Sequence, residues 1–75
     1  MKKLYEFSEG DVVCIAKIHT SPAKRRHYEA FGILEGANIR IFLISGKKVI
    51  LTVGITKLAL SEKAAAEIFA EKTAV

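Results

Sequence analysis

Apolar side chains alternate with other residues through positions 39–53, and this pattern predicts two paired β-strands. The tetrapeptide at 45–48 (SGKK) predicts a tight hairpin between them, because Gly46 supplies the positive φ that such turns require. One face of the pair is therefore expected to point into the core. Its members are Ile39, Ile41 and Leu43 on the first strand and Val49, Leu51 and Val53 on the second.

Two further stretches have strand character. Residues 12–18 (VVCIAKI) carry apolar side chains on both faces, which predicts a strand buried on both sides. Gly54 predicts a bend or bulge of the kind that helps a small barrel to close, and residues 57–60 follow as a fourth strand. Leu4 and Phe7 are expected to anchor the N-terminus to the core.

Residues 22–31 predict a short amphipathic helix. Ser21 can cap its first amides, Pro22 suits the first helical position, and Gly32 is expected to form a left-handed cap at its end. Spacings of four, seven and eight residues predict one core-facing stripe. The stripe consists of Ala23, His27, Ala30 and Phe31.

The segments that flank the second half of the chain are less regular. Ile33 and Leu34 are expected to pack beneath the helix, and Gly36 to turn the chain into the next strand. Residues 61–67 have helical propensity and a capping serine, whereas residues 68–71 could prolong that helix or begin a fifth strand. Local propensity alone favours one continuous helix.

Length and composition bound the architecture. The 75 residues (1–75) predict one small domain, and 51% hydrophobic content is sufficient for a folded core. Short strands around one helix predict a mainly β fold, a small SH3-like barrel of about five strands with one or two short α-helices. No apolar run is long enough to cross a bilayer, and no signal sequence is recognised, so a cytoplasmic protein is expected.

The sequence contains no constellation typical of an enzyme, and no cofactor is predicted. Cys14 lies among valines and isoleucines, where a thiol is usually a packing group. Three metal ligands could come from Cys14, His19 and His27, but their spacing matches no metal-binding motif. No metal site is therefore predicted. No nucleophile stands beside a base, and no glycine-rich loop could hold a phosphate.

The net charge of +4 is distributed along the chain, apart from one basic run at residues 24–26 and the Lys47-Lys48 pair. Such a run is commonly only the solvated face of a surface helix. The alternative is a partner-binding surface for an acidic protein, with tyrosine as its aromatic anchor. None of the candidate residues for this surface belongs to the predicted stripe. They are Lys24, Arg25, Arg26 and Tyr28.

The order and spacing of several short motifs resemble the ferrous iron transport protein A (FeoA) family. The resemblance extends from about residue 4 to residue 71. It includes a turn before the first strand, an Arg-Arg pair followed by spaced glycines, and a final helix with an apolar ending. The residues that carry it are Glu9-Gly10-Asp11, Arg25-Arg26, Gly32-Ile33, Gly36, Ile39 and Leu58-Ala59-Leu60.

This resemblance implies an SH3-like barrel, a short helix at residues 61–66 and a closing strand at residues 68–71. It also implies a non-catalytic cytoplasmic accessory of bacterial ferrous iron uptake, which binds and modulates the membrane transporter FeoB. The chain departs from the family pattern in its short, basic 45–48 turn. It also has His27 and Tyr28 where leucines usually follow the Arg-Arg pair.

Two other functional interpretations remain open at this stage. One is a metal-responsive sensor domain, like the C-terminal domain of iron-dependent repressors. A nucleic-acid-binding barrel ranks last, because few aromatic residues are available to stack on bases and only five cations are clustered, in two small patches. Exposed barrel edges and an apolar cleft beside the helix are compatible with a homo-oligomer.

Overall fold

The computed structural model describes residues 1–73, which form one antiparallel sheet of six strands with two short α-helices. The order of strands in the sheet is β1-β6-β2-β3-β4-β5. This arrangement confirms the predicted mainly β fold. The strands are β1 (Lys2–Lys3), β2 (Val12–Ile18), β3 (Asn38–Ser45), β4 (Lys48–Val53), β5 (Thr56–Leu60) and β6 (Ile68–Lys72), and the helices are α1 (Pro22–Ala30) and α2 (Glu62–Glu67).

The core is a continuous cluster of buried side chains, nearly all aliphatic, from the inner face of the sheet, both helices, the N-terminal segment and the loop after α1. Full burial of one such side chain stabilises the fold by about 1.5–3 kcal/mol, so each matters in a chain of this size. Leu4 belongs to this cluster and Phe7 packs against it, which confirms the predicted N-terminal anchor. The largest fully buried residues are Leu4, Val13, Ile15, Ile18, Ile33, Ile41, Val49, Leu51 and Ile68.

The C-terminal segment turns from helix to strand at Ile68, as the FeoA resemblance implied and against local propensity. β6 is an interior strand of the sheet, because it pairs with β1 on one side and with β2 on the other. Two sets of inter-strand hydrogen bonds outweigh the few tenths of a kcal/mol per residue that separate helical from extended propensity.

Irregular pairing shifts the alternation in β3. The β3–β4 register shifts between Ile41 and Leu43, so that Leu43 is 42% exposed and Ile44 packs against the core. The predicted inward position of Leu43 is therefore wrong, because one extra residue reverses the face of every side chain that follows it. Beyond the shift, the carboxylate of Glu9 accepts a hydrogen bond from the Ile44 amide at 2.9 Å.

Two other residues have an unexpected burial, one in β2, where pairing is irregular, and one in the loop after α1. The β2–β6 register shifts between Ile15 and Lys17, which returns Ile18 to the core face. Ile33 is fully buried as predicted, but Leu34 is 44% exposed and does not pack beneath α1.

Both hairpins have two-residue turns that begin with glycine. Gly46 (φ +63°) confirms the predicted connection between β3 and β4. Gly54 (φ +62°) is the first residue of a second such turn between β4 and β5, rather than a bend or bulge within a strand. Glycine at the first central position is typical of a type II′ turn, whose twist matches that of the flanking strands.

Asp11 is expected to make the stability of the fold fall in acid. Its carboxylate accepts a hydrogen bond from the Ser8 amide at 2.9 Å, and the Lys72 ammonium lies 3.4 Å away. The Ser8 hydrogen bond, with a smaller contribution from Lys72, holds the pKa of Asp11 below its usual value of 3.8. This stabilisation is present above the usual pKa and is lost as the pH falls through the lowered, folded-state pKa.

Urea unfolding of the wild type and of Asp11→Asn at about pH 6 and about pH 3 measures this effect. The wild type should lose more of its free energy of unfolding than the variant between the two pH values. Equal losses would show that Asp11 does not contribute.

Candidate interaction surface

Helix α1 is held at both ends by local interactions that the sequence predicted. The Ser21 hydroxyl accepts a hydrogen bond from the Lys24 amide at 3.3 Å, and Pro22 occupies the first helical position. Gly32 adopts φ +85°, which confirms the left-handed cap. A Cβ atom at Gly32 would lie only 3.1 Å from Cγ1 of Val53, so the end of α1 lies closely against the end of β4.

The face on which α1 rests is not the predicted one. Tyr28 is the buried residue of the helix, only 6% exposed, although it was placed outside the apolar stripe. The four residues of that stripe, Ala23, His27, Ala30 and Phe31, are all exposed. Successive helical residues are 100° apart, so the helix is rotated by about a third of a turn from the prediction. We call these four residues the exposed stripe.

Tyr28 and Lys24 converge on one carboxylate of α2. The Tyr28 hydroxyl donates a hydrogen bond to Oε1 of Glu67 at 3.4 Å, and Nζ of Lys24 lies 3.2 Å from the same oxygen. Burial raises the pKa of the Tyr28 phenol, and the Glu67 carboxylate adds to this effect. These two predicted partner-binding residues therefore connect α1 to α2. The Tyr28 ring is buried, so little of it is exposed to a partner, and its role in partner binding stays a prediction.

Arg25 connects α1 to the end of β2. Its guanidinium donates to the backbone carbonyl of Ile18 and lies 3.4 Å from the carboxylate of Glu35. The same Glu35 oxygen accepts a hydrogen bond from the Ile18 amide at 3.4 Å. Because Arg25 satisfies backbone groups where β2 ends, its charge already has intramolecular partners.

Arg26 differs from its two basic neighbours. It is exposed, and within residues 1–73 its side chain has no hydrogen bond or ion pair. At three residues from Ala23 and four from Ala30, it flanks the alanine edge of the exposed stripe. Of the four predicted partner-binding residues, Arg26 is thus the one that presents an uncommitted charge beside an apolar surface.

The exposed stripe borders a groove of about 320 Å³ between α1, β5 and α2. His27 and Phe31 stack edge to face with ring centroids 5.2 Å apart, and Phe31 remains 45% exposed. Leu58 of β5 and Ala64 of α2 line the opposite wall. The sequence had indicated an apolar cleft beside the helix, but not that Phe31 lines it, because Phe31 was placed in the core. The available signal for its exposure was its position at the end of the helix, immediately before the Gly32 cap.

The three candidate metal ligands are not brought together. Cys14 lies in β2 and His19 follows the end of that strand, which separates them by about 15 Å at the usual rise per residue. His19 stacks against Phe69, and His27 lies on the exposed stripe of α1. Within residues 1–73, no three side chains of histidine, cysteine, aspartate or glutamate form a cluster that could hold a metal ion.

Comparison with known families adds the decisive observation. A sequence profile of the FeoA domain matches residues 2–72. The chain belongs to the FeoA family. Among curated protein sequences, none matches this FeoA domain.

Solved structures share the fold. The crystal structure of the iron uptake regulatory protein FeoA superposes with a TM-score of 0.86 at 22% identity, over 96% of this chain and 97% of that one. The solution structure of FeoA from Chlorobium tepidum gives 0.85 at 21% identity, over 97% and 71%. The structure of ScaR with bound Zn²⁺ gives 0.84 at 23% identity, covering 97% of this chain but 37% of ScaR. These neighbours fit the predicted SH3-like barrel.

The helices of this FeoA domain are short. None of those formed by residues 1–73 has both the length and the apolar composition that a bilayer-spanning helix needs.

Proposed function

We propose that this FeoA domain is a non-catalytic cytoplasmic accessory of ferrous iron uptake that binds the membrane transporter FeoB and modulates its activity. The observation that carries the proposal is the FeoA-domain match over residues 2–72, since membership of this family supports a role in ferrous iron transport. The family is one of small accessory domains and is not a known enzyme family.

The surface of α1 supports a role in protein binding. The exposed stripe leaves Phe31 and His27 in solvent, and Arg26 lies beside its alanines, Ala23 and Ala30, with an uncommitted charge. Aromatic residues and arginine are enriched among the residues that contribute most to protein–protein affinity. An apolar helix face with a cation beside it suits an acidic surface of the transporter's cytoplasmic part.

Replacing Arg26 with glutamate should weaken binding to the transporter about fivefold, which corresponds to ~1 kcal/mol. The reason is that a cation at the interface becomes an anion, while the contacts of Lys24 and Arg25 within the fold are retained. A binding titration against the cytoplasmic GTP-binding domain and against full-length FeoB measures the change.

Lys2→Glu is the matched control for this titration. It changes the net charge by the same amount but lies in β1, at the other edge of the sheet. Its affinity should equal that of the wild type at moderate salt. Absence of wild-type binding to either form of the transporter would refute the proposed function. Equal weakening by both variants would show that only net charge matters, and would remove α1 from the interface.

The metal-sensor alternative gains no support from the described residues. A transition-metal site needs at least three converging donors, and Cys14, His19 and His27 do not converge. The similarity to ScaR concerns the fold, and the Zn²⁺ in that structure belongs to a protein of which this chain covers little more than a third.

A further inference from the structure

β5 is an edge strand with a partner on one side. In the sheet it pairs with β4, and among residues 1–73 no strand lies beyond it. It is five residues long and carries a single lysine. An open strand edge of this kind offers unpaired backbone donors and acceptors to any extended segment that approaches it.

The two-residue turn at 54–55 determines which backbone groups of β5 are open. In such a hairpin the flanking residues, Val53 and Thr56, form a hydrogen-bonded pair, and hydrogen-bonded pairs then alternate with non-hydrogen-bonded ones. Lys57 and Ala59 occupy the non-hydrogen-bonded positions. Their N–H and C=O groups therefore point away from β4, towards the open edge.

Four cross-strand rows of side chains run through β3 and β4 and end on β5. The row Ile44–Val49–Leu60 ends at the last residue of β5, and the other three rows end on its central residues. Each of these three rows has its own chemistry: one is polar with a cation at either end, one is apolar on the outer face, and one belongs to the core face. The three rows are Arg40–Thr52–Lys57, Leu43–Ile50–Ala59 and Ile41–Leu51–Leu58.

An added strand would extend each row by one side chain. The residue opposite Lys57 would meet a cation, which favours a carboxylate. The residue opposite Ala59 would border an outer groove of about 390 Å³, which Leu43 and Ile50 also line. The residue opposite Leu58 would enter the groove below α1, beside Phe31. Both of these positions favour apolar side chains.

Charge decides between a foreign segment and a second copy of the chain. The exposed ammonium of Lys57 lies over the ring of Phe42 of β3 at 4.7 Å, on the outer face of the sheet. A second copy would bring another Lys57 and a net charge of +4 to the open edge, and edge lysines are a common device against self-pairing. An acidic segment has the complementary charge.

We propose that the open edge of β5 binds an extended segment of a partner protein as a seventh, antiparallel strand, and that this segment reads apolar–apolar–acidic opposite Ala59, Leu58 and Lys57. The recognition itself is a property of the β5 edge. The inference rests on the proposed function in one respect, which is that the transporter is the protein that carries the segment.

A capped heptapeptide, acetyl-Thr-Thr-Val-Leu-Glu-Thr-Thr-amide, is the probe for this proposal, with lysine in place of its glutamate as the matched control. The glutamate peptide should bind the wild type about tenfold more tightly than the lysine peptide, because the side chain opposite Lys57 changes from attractive to repulsive. In Lys57→Glu this order should be reversed. Lys2→Glu, at the other edge of the sheet, should keep the wild-type order.

Amide hydrogen exchange locates the bound peptide. The amides of Lys57 and Ala59 should exchange rapidly in the free protein and about tenfold or more slowly when the peptide is saturating. Ala59→Pro should abolish binding but not folding, since it removes an outward-pointing N–H that β4 does not use. A thermal melt of this variant checks that it is folded.

Several results would overturn the proposal. These are no binding at millimolar peptide, equal affinity for the two peptides, or protection confined to residues outside β5. Protection of Lys57 and Ala59 that rises with protein concentration alone would identify a second copy as the occupant. Equal binding of the transporter to wild type and folded Ala59→Pro would refute the edge site and leave the proposed function standing. Peptide binding without transporter binding would support the edge site and refute the proposed function.

Discussion

Replacing Tyr28 with alanine is expected to lower the free energy of unfolding by about 3 kcal/mol, more than half of the ~5 kcal/mol typical of so small a domain. Tyr28 is the buried side chain of α1, and the exposed stripe of the helix contributes little to the core. Truncation would leave a cavity under the helix and would release Glu67 from the phenol. Chemical denaturation monitored by circular dichroism measures the loss.

Tyr28→Phe separates the ring from the hydroxyl. It keeps the buried ring and removes a hydrogen bond of 3.4 Å, so about 0.5–1 kcal/mol should be lost. A loss as large as that of Tyr28→Ala would contradict the assignment of the stability to ring packing. A near-zero loss in Tyr28→Ala would show that α1 is not seated through this residue.

Comparing the wild type with Tyr28→Phe also tests how the stability of the fold depends on alkaline pH. The pKa of Tyr28 is raised from its usual 10.0, first by burial and then by Glu67, so the protonated phenol favours the folded state. That contribution is fully present below the usual pKa and is lost as the pH rises through the higher folded value. The wild type should therefore lose more stability than Tyr28→Phe above about pH 10.

Gly32→Ala is expected to cost about 2 kcal/mol. One part is the left-handed backbone at φ +85°, which a residue with a Cβ atom adopts at a cost of about 1 kcal/mol. The other part is steric, because the new methyl group would lie 3.1 Å from Cγ1 of Val53 and would push α1 away from the end of β4. Urea unfolding of the purified variant provides the measurement.

Gly36→Ala is the control that isolates the backbone part. Gly36 has a similar φ of +91°, but a Cβ atom there would meet nothing within 4 Å, so about 1 kcal/mol should be lost. Combining Gly32→Ala with Val53→Ala should show favourable coupling, because the contact is removed from its other side. Equal losses for the two glycines, without coupling to Val53, would leave no role for the close approach.

The residues that hold α1 overlap with those first assigned to partner binding. Arg25 and Lys24 form ion pairs within the protein, so reversing both arginines of the Arg-Arg pair would disturb the seat of the helix as well as its surface. A loss of binding in that double variant would not separate the two effects. Arg26 alone, with Lys2→Glu as control, separates them.

The sequence by itself determined those features of this protein that arise from interactions between residues a few positions apart. The Ser21 cap, the Gly32 cap and the hairpin at Gly46 are local, since each satisfies backbone groups two to four positions away. The motif spacing identified the family for the same reason, because it records where such turns and caps recur along the chain.

Only the tertiary structure decided the features that require contacts between distant residues. Helical periodicity showed that α1 has two faces, but alanine and histidine in one and tyrosine in the other did not reveal which would be buried. Pairing with β1 and β2 made residues 68–72 a strand, and the shift after Ile41 turned Leu43 outwards. The open edge of β5 likewise appears only in the sheet, because whether a strand has a second neighbour depends on the whole chain and not on its own residues.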